Sequence, residues 1–213
     1  MFIWPLLIPA TATNQAHLAQ GIFIGLMPVI LVLVLVEFSS GSIGSKQLAV
    51  LGVLIALNAV VRVLGAGTSG IETAFFLIIL GAYVFGSGFG FVLGSASLLV
   101  SALLTGGIGP WLPFQMMAAG LVGLAAGLLP RAKAKWVQLT ILICFAAVAS
   151  YVYGALMTMW NWPFLAGENT SLSYAPGAGI LENLNTFVKF EIFTGGLLWD
   201  TGRIRHRGWS RGR

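Results

Sequence analysis

Long apolar stretches, separated by short segments rich in glycine, proline and charge, dominate the pattern of this chain. A helix needs roughly 20 apolar residues to cross about 30 Å of hydrocarbon. Unpaired backbone groups are costly in lipid, so each stretch is predicted to be a helix. Seven stretches qualify, two of them short, at residues 19–38, 47–64, 71–85, 89–105, 113–129, 136–160 and 184–198. The pattern therefore predicts an all-α, polytopic membrane bundle.

Composition supports the same class, because 58% of the 213 residues are apolar and only 8% are charged. An ordinary soluble domain has about 25% charged residues. Cys144, the single cysteine, lies in an apolar stretch, so the sequence offers neither a disulfide framework nor a thiolate metal cluster. The net charge of +5 is not read as nucleic-acid binding, since the basic residues cluster at the ends of apolar stretches.

Lysine and arginine positions predict the orientation, because these residues favour the cytoplasmic side of a membrane. A cytoplasmic C-terminus places nine of the eleven basic residues inside: Lys46, Arg131, Lys133, Lys135, Arg203, Arg205, Arg207, Arg211 and Arg213. The first helix then enters from outside and precedes a six-helix core. We expect a multi-pass cell-membrane protein with an N-terminal segment at 1–45, a core at 46–200 and a basic cytoplasmic tail at 201–213.

Two basic residues depart from this distribution. Arg62 lies near the outer end of the second predicted helix, and Lys189 lies in the outer half of the last one. The acids Glu72 and Glu191 fall at a similar depth. Ionisable groups inside membrane helices are expensive and usually face a polar cavity or a partner. These four residues either line a pocket that opens outward, or the two basic side chains extend to the interface or pair with the two glutamates for structural reasons.

The second predicted helix carries a stripe of small residues at Ala49, Gly52, Ala56 and Ala59. Their spacings of 3, 4 and 3 place them on one face at about 100° per residue. Asn58 and Arg62 point roughly 100 to 140° away from this face. The helix can thus offer a flat surface to a partner subunit and polar groups to a cavity, or the stripe packs against helices of its own chain.

Glycines recur every four residues at Gly86, Gly90 and Gly94, and again at Gly123 and Gly127. This spacing is typical of close helix packing in membranes. The segment 86–90 is not interpreted as a nucleotide-binding loop, because it lies between membrane helices and no Lys-Ser/Thr pair follows it. A pump built on this chain would therefore take its ATPase from another subunit.

The residues that enzymes and metal sites need are scarce. The two histidines, His17 and His206, lie near opposite ends of the chain, and no acidic pair within a helix has metal-ligand spacing. We predict no catalytic residues, no metal site and no cofactor. The predicted outer loops at 65–70, 106–113 and 161–183 instead combine glycines, hydroxyls, amides and aromatic rings, which suit ligand contact. Trp111 and Trp162 also fit an interfacial aromatic belt.

Two segments, ALNAVVR at 56–62 and LLTGGIGPWLPFQ at 103–115, resemble the substrate-binding (S) component of energy-coupling factor (ECF) vitamin transporters. The resemblance covers roughly residues 46–200. It implies a six-helix core that binds a vitamin at the outer side and associates with a coupling transmembrane subunit and two ATPase subunits. It also implies that Gly52 and Ala56, flanked by Ala49 and Ala59, contact the coupling subunit. Gly52 departs from the family's alanine pair, and the helix at 19–38 is an addition to the core.

The segment LGAGTSGIE at 64–72, followed by the Gly-Pro-Trp loop, most resembles the branch that is expected to import cobalamin. Riboflavin is an alternative, and unpaired Arg62 and Lys189 would favour a carboxylate-bearing vitamin such as biotin or pantothenate. The residues predicted to bind the vitamin are Asn58, Arg62, Thr68, Glu72, Trp111, Gln115, Trp162, Asn185, Lys189 and Glu191.

Two further functions stay open at the level of sequence. A self-sufficient secondary transporter would need coupling-ion groups at mid-membrane depth. An integral membrane enzyme acting on lipid would gather acids or histidines at one interface, whereas the predicted inner surface offers mainly arginine and lysine.

Overall fold

The computed structural model describes residues 2–7, 15–40, 43–65, 74–165 and 172–194. Within these ranges the chain forms eight helices. They are α1 (Trp4–Leu7), α2 (Gln15–Ser39), α3 (Ser45–Gly65), α4 (Ala74–Phe85), α5 (Ser87–Thr105), α6 (Leu112–Gly127), α7 (Lys135–Leu165) and α8 (Ile180–Thr194). Helices α2 to α8 correspond to the seven predicted stretches, which confirms the all-α class. The short helix α1 was not predicted.

Four helices are long and apolar enough to cross a membrane: the spans within them are Gln20–Ser39, Ser45–Val63, Ser87–Thr105 and Lys135–Pro163. Helices α4 and α6 are apolar but shorter. The described part of α8 has 15 residues, includes three charged side chains and is shorter than a full span. The last residues of its predicted stretch, 195–198, lie outside the described ranges.

Glycines mark both ends of α5. The backbone of Gly86 has φ +107°, and it separates α5 from α4. Gly106 ends α5 in the left-handed conformation with φ +66°, and its N–H donates to the carbonyl of Ala102. Residues with a Cβ rarely adopt these angles, so glycine suits both positions. Pro113 then lies in the first turn of α6, where its missing N–H costs no helical hydrogen bond.

The described helices divide into two compact units. The bundle unit contains most of α2, helices α3 to α6, and α7 up to Tyr153. Its centre is α5, which packs against α3, α4 and α6. The helix pair α5 and α6 is the closest, because glycines allow their backbones to touch. A Cβ atom at Gly90 would overlap the carbonyl of Gly123, and one at Gly94 would overlap the carbonyl of Ala119. The predicted packing role is confirmed for Gly90, Gly94, Gly123 and Gly127, whereas a Cβ atom at Gly86 would meet nothing within 4 Å.

Polar contacts fix the ends of helices in the bundle unit. The Arg131 Nη2 group donates to the carbonyls of Tyr83 and Val84 at 3.4 Å, at the C-terminal end of α4. The Tyr83 hydroxyl donates to the Pro130 carbonyl at 3.3 Å. A cation at a helix C-terminus is electrostatically favourable. These bonds hold the connection between α6 and α7 against α4.

The terminal unit contains α1, the part of α7 after Tyr153, and α8. Its core is a cluster of Met159, Trp162, Phe187 and Phe190, against which Leu6, Leu172 and Tyr174 pack. The Trp4 indole N–H donates to the carbonyl of Trp160 at 3.1 Å, which attaches α1 to α7. The Asn183 side chain holds the connection before α8, because its amide exchanges two hydrogen bonds with the backbone of Ala175.

Candidate functional site

Arg62 joins three helices of the bundle unit. From α3, its Nη1 group donates to the Ser101 hydroxyl on α5 at 3.1 Å, and its Nη2 group donates to Gln115 Oε1 on α6 at 3.2 Å. Both partners are neutral, so the bonds satisfy two N–H groups but do not neutralise the charge. Among the described residues, no carboxylate forms an ion pair with this guanidinium. The geometry leaves a partly buried positive charge beside a polar cluster.

Asn58 lies one helical turn before Arg62, and its side chain is completely buried. Neither its Oδ1 nor its Nδ2 atom has a hydrogen-bond partner among the described residues, and the same holds for Arg62 Nε. A buried polar group without a partner costs about 1–3 kcal/mol. Residues four apart share a helix face, so the two side chains can serve one bound group. We call Asn58, Arg62, Ser101 and Gln115 the polar cluster. It has donors and an acceptor available for a ligand or ordered water.

Ser101 was missed by the sequence interpretation, although it accepts one of the two hydrogen bonds from Arg62. A weak signal was present, because Ser97 and Thr105 lie four residues on either side of it in an apolar helix. This row of hydroxyls marks one polar face of α5. Hydroxyls in a membrane helix usually bond their own backbone, as Thr105 does with the Ser101 carbonyl. Only the packing of α3 on α5 gives Ser101 its distinct role.

Trp111 lies in the connection before α6, four residues ahead of Gln115. Its indole N–H donates to the Gly107 carbonyl at 3.2 Å, and its ring covers Gly109 so closely that a Cβ atom there would overlap it. The side chain remains 44% exposed. The connection is therefore folded on itself and presents one face of the indole.

Trp162 lies in the core of the terminal unit. It is completely buried in the core of the terminal unit, its N–H donates to the Leu172 carbonyl at 3.1 Å, and its ring packs edge-on against Tyr174 and Phe187. The contacts of Trp162 are those of a core residue. Its role in ligand binding stays a prediction.

The remaining predicted ligand residues lie on α8 or outside the described ranges. Asn185 and Lys189 are exposed on α8, one turn apart. Glu191 is partly buried, and its Oε2 atom has no partner among the described residues. All three belong to the terminal unit. Thr68 and Glu72 lie outside the described ranges. Hydrogen bonds thus bring together Arg62, Gln115 and Ser101, and Asn58 lies one helical turn before Arg62 on α3.

The stripe of small residues on α3 is mostly open. Ala49, Gly52 and Ala56 are exposed, and a Cβ atom at Gly52 would have no neighbour within 4 Å. Ala59 is completely buried, so the exposed stripe ends at Ala56. Ala59 and the neighbouring Asn58 are both buried where α3 packs into the bundle. Contact of the stripe with a coupling subunit stays a prediction.

These features define an integral membrane protein made of apolar helices, with a polar cluster enclosed among three of them. Comparison with known proteins adds the family. The family model of the ECF transporter, substrate-specific component, matches residues 46–197, and the chain belongs to this family. No curated protein and no solved structure matched the chain.

Membership makes this chain a substrate-binding subunit of an ECF transporter and a multi-pass protein of the plasma membrane. Proteins of this kind work with a coupling component and ATPases. The match begins one residue into α3, so α1 and α2 precede the part of the chain that the family shares.

Proposed function

We propose that this chain captures a vitamin at the outer side of the membrane, with the cluster of Asn58, Arg62 and Gln115 as part of its binding site. The observation that carries the proposal is the Asn58 side chain, buried with both polar atoms unpartnered. Such a group lowers stability unless a bound molecule satisfies it. A ligand with both donor and acceptor atoms would do so.

The orientation in this proposal follows the basic residues, with the C-terminus in the cytoplasm and the connection between α6 and α7 on the same side. Residues 46–200 form the substrate-binding core, and 1–45 form an added N-terminal segment. The exposed stripe of Ala49, Gly52 and Ala56 is the surface proposed to contact the coupling subunit, which two ATPase subunits would drive. Its openness supports this assignment, because small residues let another helix approach closely.

Cobalamin is the leading substrate in this proposal, because its peripheral amides match the amide groups of Asn58 and Gln115. A carboxylate-bearing vitamin such as biotin or pantothenate is the second candidate. A specific observation favours it: both described partners of Arg62 are neutral, so a ligand carboxylate would find an unneutralised guanidinium with an unused Nε–H.

Binding to purified protein distinguishes these substrates. Wild-type protein in lipid nanodiscs would be titrated with cobalamin, riboflavin, biotin and pantothenate, alongside Asn58→Leu. We expect one vitamin to bind the wild type and to bind Asn58→Leu at least tenfold more weakly. The apo form of this variant should be as stable as wild type or more so, because the change removes an unsatisfied buried amide.

The matched control is Gln138→Leu, which removes an amide from α7 and should leave binding unchanged. Folded wild-type protein that binds none of the four vitamins would contradict the proposal. Equal binding by the two leucine variants would remove Asn58 from the site. If uptake in cells persisted without ATPase subunits and collapsed with the ion gradient, the chain would instead be a secondary transporter.

A further inference from the structure

The bundle unit contains an apolar groove whose lining includes none of the residues of the polar cluster. It is a groove of about 630 Å³ between α4 and α7, with Val61 of α3 also in its wall. Side chains such as Phe76 and Leu80 of α4 and Ile143 of α7 line it, and Ser150 is the single polar residue in the described part of its lining. The lining suits a hydrocarbon and offers a vitamin almost no hydrogen bonds.

One face of α7 runs the length of this groove. Leu139, Leu142, Ala146 and Ser150 line it at spacings of 3, 4 and 4, which keeps them on one helix face. From Leu139 to Ser150 the helix rises about 16 Å at 1.5 Å per residue. This length is close to half of a hydrocarbon core of about 30 Å, which is the depth of one leaflet.

An aromatic pair and a lysine lie beyond the two ends of the groove lining on α7. Beyond Ser150 on the same face, the Tyr153 ring contacts Phe75 of α4 edge-on, with 4.9 Å between the ring centres. One turn before Leu139, the same face carries Lys135, which is exposed. A hydrocarbon chain inserted along the groove would therefore have its polar end at Lys135.

Positive charge is concentrated at this end. Arg131, Lys133 and Lys135 are all exposed and lie within five residues. The sequence from Glu72 to Glu168 includes no other acidic residue, and the acid placed near the α4–α5 junction is Glu37 of α2, whose carboxylate lies beside Gly88. Arg131 bonds the α4 carbonyls, which leaves Lys133 and Lys135 as the side chains that extend from the connection. Trp136, 82% exposed, is placed as tryptophans are at the level of lipid headgroups.

We propose that the groove binds a glycerophospholipid with an anionic headgroup. An acyl chain lies between α4 and α7, and the phosphate lies at Lys133 and Lys135. The lipid comes from the leaflet on that side, which is cytoplasmic in the orientation proposed above. Basic residues beside a hydrocarbon-lined groove provide both parts of such a site.

A lipid suits this groove better than a helix from another subunit because of its basic end. Lys133 and Lys135 offer positive charge to a phosphate, and the apolar walls offer contact to an acyl chain.

Native mass spectrometry of the purified chain, with no vitamin added, tests this proposal. The protein would be incubated with phosphatidylglycerol or with phosphatidylcholine of the same acyl chains. We expect retention of one phosphatidylglycerol molecule, at least fivefold above phosphatidylcholine. Ala146→Phe fills the groove and should reduce retention at least fivefold, and Lys133→Gln combined with Lys135→Gln should do the same.

Two matched controls accompany these variants. Ala147→Phe adds the same ring to the adjacent, exposed position of α7, and Lys46→Gln removes an exposed lysine outside the groove; both should retain the lipid as wild type does. Equal retention by Ala146→Phe and Ala147→Phe would overturn the proposal, and so would equal retention of the two lipids. The detection of a dimer of the protein without bound lipid would also overturn it. The lysine variant leaves the packing intact, so the test does not depend on the folding of Ala146→Phe. Failure here would leave the Asn58 binding result unaffected.

Discussion

The Arg62 guanidinium on α3 donates a hydrogen bond of 3.2 Å to Gln115 on α6, although 53 positions separate the two residues in the chain. With the bond to Ser101, this contact connects α3 to two other helices of the bundle. The same helix carries the exposed stripe of Ala49, Gly52 and Ala56. A displacement of α3 by a partner subunit would therefore change the contacts of Arg62, which gives a direct physical link between the two proposed surfaces.

Replacement of Arg62 by lysine tests whether charge or geometry matters. Lysine keeps the positive charge but cannot direct separate N–H groups at Ser101 and Gln115 from one planar fork. We expect Arg62→Lys to weaken vitamin binding at least tenfold, measured by titration of the purified protein. Arg62→Gln is the companion variant. If lysine restored full affinity while glutamine did not, charge alone would explain the role of Arg62.

The glycine contacts between α5 and α6 predict a loss of stability on adding a single methyl group. In both Gly90→Ala and Gly123→Ala, the new Cβ atom would overlap the backbone of the facing helix. Overpacking of this kind costs about 1–3 kcal/mol. In detergent, both variants should melt at least 2 °C below wild type. Gly52→Ala is the control, because nothing lies within 4 Å of its new atom, and an equal effect in all three variants would refute the packing account.

A large side chain on the exposed stripe should block assembly. No described atom lies within 4 Å of a Cβ atom at Gly52, and the position is exposed, so Gly52→Trp should fold and bind its vitamin normally. Co-purification with the coupling subunit should fall at least fivefold. Gly25→Trp on α2 is the control, because its surroundings are equally open and it precedes the family match. Normal assembly of Gly52→Trp would place the coupling surface elsewhere.

Trp162 should behave as a core residue. Trp162→Phe keeps an aromatic ring in the cluster but loses the bond to the Leu172 carbonyl. The net loss of one hydrogen bond is about 0.5–1.5 kcal/mol, and the smaller ring adds a packing loss. We expect a lower melting temperature with unchanged vitamin affinity. A large drop in affinity at unchanged stability would return Trp162 to the binding site.

The sequence by itself determined the helical class, the approximate bounds of α2 to α8 and the glycines at the α5–α6 contact. Hydrophobic length and four-residue spacing are local signals, and lipid leaves a spanning segment few alternatives to a helix. The sequence also predicted that Asn58 and Arg62 share a helix face, since one helical turn separates the two residues.

Only the tertiary structure decided which polar residues meet. Ser101 became a partner of Arg62, Ala59 was removed from the open stripe and Trp162 was assigned to a core, because each outcome depends on how helices distant in sequence pack. The groove between α4 and α7 has no sequence signature, since its lining residues look like any lipid-facing apolar residues. Such features arise from the space left between helices, and periodicity along one helix does not encode that space.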